Sequence, residues 1–202
     1  MRITDEGLRL VRHFEGFREL AYKCPGGVWT IGYGSTRGVQ AGDRITADEA
    51  EARLLGELYE FGAGVVSAVS APTSEAELSA LVSFAFNVGL GAFRASSVLR
   101  FHELGQKREA AAAFGLWIMA GGEVLGGLRL RRDAEAELYL TGRWTRPGVP
   151  RSAVALATPE LRKIEPIDAL QAPPPVEVRP VGRIAPRPER TREELLEDPR
   201  NG

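Results

Sequence analysis

The sequence predicts an α+β protein that is mainly helical, with a small β-hairpin lobe and a larger helical lobe flanking a substrate cleft. Three observations predict it. Apolar residues recur at helical spacing through most of residues 1–144. That rhythm breaks once, over residues 20–35, into Gly, Tyr, Trp, Thr and Ile around Pro25-Gly26-Gly27, which reads as a hairpin followed by a glycine-rich third strand. Composition then shifts after Trp144: every Phe, Tyr and Trp lies at or before that position, while 11 of the 13 prolines lie beyond it. A segment without aromatics and rich in proline cannot bury enough apolar surface to offset its ordering entropy. Residues 1–144 are therefore expected to form the domain. Residues 145–202 are expected to be a Pro/Arg-rich extended or disordered tail, with a short helix near 192–197.

The elements follow in order. Thr4 is placed to cap a first helix whose apolar residues Leu8, Val11 and Phe14 recur every three positions, and Gly16 stops it just after Glu15. The hairpin and third strand come next. Thr46-Ala47-Asp48-Glu49 and Ser74-Glu75-Ala76-Glu77 both have capping-box spacing and open two further helices. The one over about 74–87 has few polar positions on any face and is expected to be central. Shorter helices are predicted from Ala95, over Arg108–Met119, and over Leu128–Leu140, the last closed by Gly142.

Composition excludes several function classes. The 26 basic and 27 acidic side chains nearly cancel, which argues against a nucleic-acid binder. One cysteine forms no internal disulfide, and two histidines with one cysteine are too few for a structural zinc site, so no metal or cofactor is expected. The longest apolar run, Leu78–Phe93, is shorter than a bilayer span and holds Ser79, Ser83 and Asn87, so no stable membrane insertion is expected. The first residues lack a secretory core, from which residence in the host cytoplasm before release is expected. His13 and His102 have no partner at metal-ligand spacing and read as partly exposed helix residues. Gly32–Gly38 has the wrong spacing for a phosphate loop. Arg129, Arg131, Arg132 and Arg143 read as a solvated basic face, Arg131 apart.

Chemistry concentrates in the segment from Glu15 to Gly34. A carboxyl at a helix end beside Phe14 and Phe17 is partly desolvated, which favours the protonated form that a general acid needs. Cys24 and Thr30 flank the hairpin turn and can face one cleft. The spacing, Glu15, eight residues, Cys24, five residues, Thr30, then Ile31-Gly32-Tyr33-Gly34, resembles the active-site signature of phage-type lysozymes, the T4-lysozyme-like endolysins of glycoside hydrolase family 24. Further matches follow in order: Phe84-Ala85-Phe86-Asn87-Val88-Gly89 resembles the family's central helix, and Gly91–Ser97 its substrate loop. Trp117, Gly126–Arg132 and Leu140–Trp144 resemble its C-terminal helices.

That resemblance implies hydrolysis of the β-1,4 bond between N-acetylmuramic acid and N-acetylglucosamine in peptidoglycan, with Glu15 as general acid. Cys24 stands where the family most often has Asp. A thiol with a pKa near 8.5 is only a few per cent ionised at pH 7, a weaker fixed charge than a carboxylate but still able to act as base or nucleophile. Thr30 offers a hydroxyl to hold the attacking water, and an inverting displacement is expected. Matching residue by residue implies Tyr33 and Thr36 on the hairpin side of the cleft and Phe86, Asn87 and Ser96 opposite, with Arg131 pairing to Glu15. For Phe86, plain core packing is an equal expectation. The expected partner is peptidoglycan, met as a monomer after release by a holin. The alternatives are a lytic transglycosylase cutting the same bond without water, and a lysozyme-fold structural module of a virion or particle, which the tail suggests.

Overall fold

The computed structural model describes residues 3–24 and 26–147. Helix α1 spans Asp5–Glu15; the Thr4 hydroxyl accepts a hydrogen bond from the Gly7 N–H, and Gly16, at φ 68°, turns the chain out of the helix. Strands β1 (Arg18–Lys23) and β2 (Trp29–Gly32) pair antiparallel, with Lys23 opposite Trp29 and Tyr22 opposite Thr30. The expected third strand does not form. Gly32 (φ 64°) and Gly34 (φ 99°) fold the chain back on itself instead, so that Ile31 pairs with Ser35. A strand cannot continue through two left-handed glycines in three residues.

Six helices follow. Both predicted capping boxes are present, Thr46 with Glu49 opening α2 (Ala47–Val66) and Ser74 with Glu77 opening α3 (Glu75–Val88). Helix α3 is the buried centre, with Leu78 to Phe86 all inaccessible. The segment expected as a substrate loop is helical in part, α4 (Leu90–Arg94), and α5 (Ser97–Glu103) starts behind its cap Ser96. Helix α6 (Lys107–Phe114) ends well before Met119. Gly121 and Gly122, both at positive φ, form the turn of a two-residue hairpin there, β3 (Met119–Ala120) with β4 (Glu123–Val124). Helix α7 (Gly126–Thr141) closes on Gly142 in the left-handed conformation, as predicted.

The main core draws on every helix from α1 to α7, and in it Phe84 meets Phe93, Phe114 and Trp117 edge-on. At Gly7 any β-carbon would sit 2.6 Å from that of Ser79, so α1 approaches α3 closely only because that position is bare. Trp144 locks the end of the domain back onto α1 by donating to the Glu6 carbonyl and packing beside His13 and Phe14. The hairpin lobe has a separate, much smaller core of Ile31, Ile45 and Ala50.

His102 corrects an expectation: it is fully buried, its two ring nitrogens 2.7 Å from the Tyr139 hydroxyl and 2.8 Å from the Thr73 hydroxyl. Burial, with Lys107 nearby, pushes the imidazole below its usual value. The expected tail lies outside the described residues apart from 145–147, and with it the short helix near 192–197. Thr145 still belongs to the domain, held by the Glu137 carboxylate through both its N–H and its hydroxyl.

Candidate active site

Glu15 is the last residue of α1, so its side chain leaves the helix just where the chain turns into the hairpin lobe. It is half-buried, and its Oε1 accepts from Arg131 Nη1 at 2.6 Å. On the other side its Oε2 faces Gly34: a β-carbon there would stand 3.6 Å from it. The carboxyl is thus held between a guanidinium of the helical lobe and a glycine backbone of the hairpin lobe.

Arg131 is itself buried. Its Nε donates to Glu135 Oε1 at 3.1 Å and its Nη2 to the Ser83 carbonyl at 3.3 Å. Burial alone would lower the guanidinium, but Glu15 and Glu135 outweigh it and hold the group raised and charged. Arg132, expected on a solvated face, is instead inside the protein. Its Nη2 donates to Asn87 Oδ1 at 2.8 Å and to Glu135 Oε1 at 3.3 Å, and its guanidinium lies over the Phe84 ring. Burial pushes it down to about 10, so it remains a cation at neutral pH. Glu135 has no solvent contact and also accepts from the Ser83 hydroxyl at 2.7 Å. Two carboxylates and two guanidiniums therefore run from Glu15 to Asn87 between α1, α3 and α7.

Cys24 and Thr30 come from the hairpin. The Cys24 N–H donates to the Val28 carbonyl at 3.0 Å, setting those two residues opposite each other, and Thr30 is two residues beyond Val28. Alternation along a strand then gives Cys24 and Thr30 a common face. Thr30 is buried and its hydroxyl donates to the Val28 carbonyl at 3.1 Å. Desolvation would raise the Cys24 thiol, but hydrogen bonds from the Val28 and Gly26 backbone and the Thr30 hydroxyl outweigh it and hold the thiol below its usual value.

The remaining sequence-predicted residues divide. Tyr33 and Thr36 are half-buried on the hairpin lobe, the Tyr33 ring 5.7 Å from that of exposed Phe17. Asn87 is half-buried at the end of the buried ion chain. Phe86 is 2% exposed and packs edge-on against Phe61, while Ser96 is equally buried and spends its hydroxyl on the Leu99 N–H and the Phe93 carbonyl. These two form core and cap, and are not brought to an accessible surface.

Ser83, Arg132, Glu135 and Glu57 are not legible as site residues in the sequence. For Arg132 and Glu135, the available signal is that Glu135 follows Arg132 by three positions and Arg131 by four, which brings the three side chains together along α7; Ser83 carries no such signal. Glu57 sits on α2 among the buried positions Leu54 and Leu58, where an apolar residue would be expected. Burial pushes its carboxyl up against the opposing pull of the Ser35 hydroxyl and Arg37, and the charges of Glu60 and, less, Glu15 add to the rise. Among the described residues, no three His, Cys, Asp or Glu side chains group where they could hold a metal ion.

A helical lobe, a hairpin lobe and a half-buried carboxyl braced between them define a glycoside hydrolase of lysozyme fold. Residues 12–135 match the family model for phage lysozyme. The endolysin of an Acyrthosiphon pisum secondary endosymbiont phage is 36% identical, over 69% of this chain and 98% of that one. The Bacillus phage B103 endolysin is 39% identical over 70% of this chain, but the match spans 55% of the phage protein's own length. The solved muramidase domain of SpmX from Asticaccaulis excentricus superposes with a TM-score of 0.66 at 40% identity, covering 69% of this chain and 98% of that domain. The chain belongs to the phage lysozyme family.

Proposed function

We propose that the protein hydrolyses the β-1,4 bond between N-acetylmuramic acid and N-acetylglucosamine in peptidoglycan, with Glu15 as the acid and Cys24 and Thr30 flanking the water. The observation that carries the reading is the bracing of half-buried Glu15 by Arg131 at 2.6 Å, just before a hairpin that carries a thiol and a hydroxyl on one face. Glu15 gives its proton to the leaving glycosidic oxygen as the C–O bond breaks. Water, positioned by the Thr30 hydroxyl, attacks the anomeric carbon from the other face and loses a proton to the Cys24 thiolate, with inversion. The lowered thiol increases the thiolate fraction available for that step. Tyr33, Thr36 and the Asn87 amide supply an aromatic face, a hydroxyl and an amide suited to an N-acetyl sugar.

For the whole chain the proposal extends to action on the bacterial cell wall as a monomer, after release by a membrane-permeabilising holin. In the same reading, residues 145–202, Thr145 apart, form an extension separate from the catalytic domain.

The test is turnover on purified peptidoglycan by wild type, Glu15→Gln and Cys24→Ser, with products weighed by mass spectrometry. Wild type is expected to release hydrated reducing ends, and Glu15→Gln to lose about 10³-fold in kcat. A wild type that releases no reducing ends between pH 5 and 8, or that yields 1,6-anhydro ends, rejects the proposal.

A further inference from the structure

The interior between α3 and α7 holds charge that packing alone does not call for. Arg131, Arg132 and Glu135 are all buried, and Arg132 Nε lies 2.9 Å from Glu135 Oε2 without hydrogen-bond alignment. Arg132 Nη1 also lacks a hydrogen-bond partner. Burying ions in this way brings little or no net stability, because desolvation offsets the attraction, and an apolar set of similar volume often does as well. Such a frame needs another reason to exist, and its two ends supply one. One end is the Oε1 of Glu15, held by Arg131; the other is the Oδ1 of Asn87, held by Arg132. Ser83, whose carbonyl and hydroxyl receive Arg131 and serve Glu135, stands one helical turn before Asn87 on α3. Because Oδ1 is committed to Arg132, the Asn87 amide can turn only its NH₂ outward, as a donor. Among the described residues, Glu135 is the side chain that hydrogen-bonds to both arginines.

We propose that Glu135 is a positioning residue for two branches of the site at once: through Arg131 it aims the Glu15 carboxyl, and through Arg132 it presents the Asn87 NH₂ to a carbonyl oxygen of the sugar chain, such as that of an acetamido group. The second branch rests on the proposed peptidoglycan reading. Ordering the two ends through one buried carboxylate keeps the acid and the sugar-binding donor in fixed register on rigid helices, where misplacement by about 1 Å can cost as much as 100-fold in rate.

The two branches separate in kinetics. Glu135→Gln keeps the shape and removes the charge; it is expected to lower kcat at least tenfold and to raise KM. Arg132→Lys keeps the charge but loses the bond to Asn87, and is expected to raise KM about fivefold with a smaller change in kcat, the size of one ordinary hydrogen bond. In the Arg132→Lys background, Asn87→Ala is expected to add little, because the amide is already unaimed. A lower Tm for Glu135→Gln with wild-type kcat and KM would reduce Glu135 to a structural ion and overturn the proposal, as would additive effects of Arg132→Lys and Asn87→Ala. Should Glu135→Gln fail to fold, Glu135→Asp, which keeps the charge but shortens its reach to both arginines, carries the same expectation, and wild-type kcat and KM in that variant overturn the proposal. Running the double-mutant cycle of Arg132→Lys and Asn87→Ala on binding of a soluble N-acetylglucosamine–N-acetylmuramic acid tetramer to Glu15→Gln reads the Asn87 branch without turnover. Absence of the reaction and absence of the frame therefore give different results.

Discussion

The two lobes hold their share of the site in different ways. In the helical lobe, Glu15 is tied through Arg131 and Glu135 to the buried centre of α3, behind which Phe84, Phe93, Phe114, Leu81 and Leu138 are inaccessible. In the hairpin lobe, Cys24 and Thr30 stand on a two-stranded ribbon whose first strand is almost wholly exposed and whose core is Ile31, Ile45 and Ala50. A two-stranded ribbon has little stability of its own, so this one depends on what lies under β2. In the proposed mechanism the acid is therefore placed by the well-packed helical lobe, and the water-handling side by a thin layer with a three-residue core.

Truncating each core should separate them most widely. Phe114→Ala is expected to cost about 3–5 kcal/mol of global stability, because its buried ring packs edge-on against Phe84 and Tyr139, and to leave the kinetic constants of the molecules still folded near wild type. Ile31→Ala should cost less, about 2–3 kcal/mol, yet lower kcat/KM more, because it loosens the strand that carries Thr30. Denaturant melts paired with peptidoglycan kinetics measure both. Equal kinetic losses would show that the lobes are not mechanically distinct.

The seam between the lobes gives the next effect. Gly34→Ala forces a β-carbon onto a backbone at φ 99° and places it 3.6 Å from Glu15 Oε2. The backbone strain should cost about 1–3 kcal/mol. Activity should fall further than stability, as the hairpin moves off the carboxyl. If kcat/KM and Tm instead fall in proportion, the contact with Glu15 is incidental.

What the sequence made legible follows the same division. Caps and stops are local, so Thr4, Thr46, Ser74 and Gly142 read correctly from a few residues each. Glu15 and its Arg131 partner were legible through the family resemblance and are found in contact. The third strand was misread because Tyr33 and Ile31 carry strand propensity, while the left-handed glycines between and after them decide the geometry. Arg132 and His102 were misread because burial of a polar side chain depends on partners distant in the chain: Asn87 and Glu135 for one, Thr73 and Tyr139 for the other. Phe86 could be read as cleft or core, and only the approach of Phe61 from α2 decides for core.

The smallest expected effects have opposite signs in pH. Deep in the helical lobe, the pKa of His102 is lowered by burial and by Lys107, so the native state holds it neutral. Its contribution is present above the unfolded value near 6.5 and is lost as pH falls through the lower folded value. His102→Gln should therefore be less stable than wild type at pH 8, with the gap narrowing toward pH 5. At the lobe seam Glu57 behaves the other way. Burial raises its carboxyl, so the native state prefers the proton, and its contribution is present below the unfolded value near 4.3 and lost as pH rises through the higher folded one. Glu57→Gln should accordingly raise Tm by about 2 °C at pH 7, and the gain should vanish by about pH 4. Melts across that range check both. A Glu57→Gln gain that persisted unchanged at pH 4 would mean the carboxyl is costly there for its shape alone, and not through the burial of its charge beside Glu60 and Glu15.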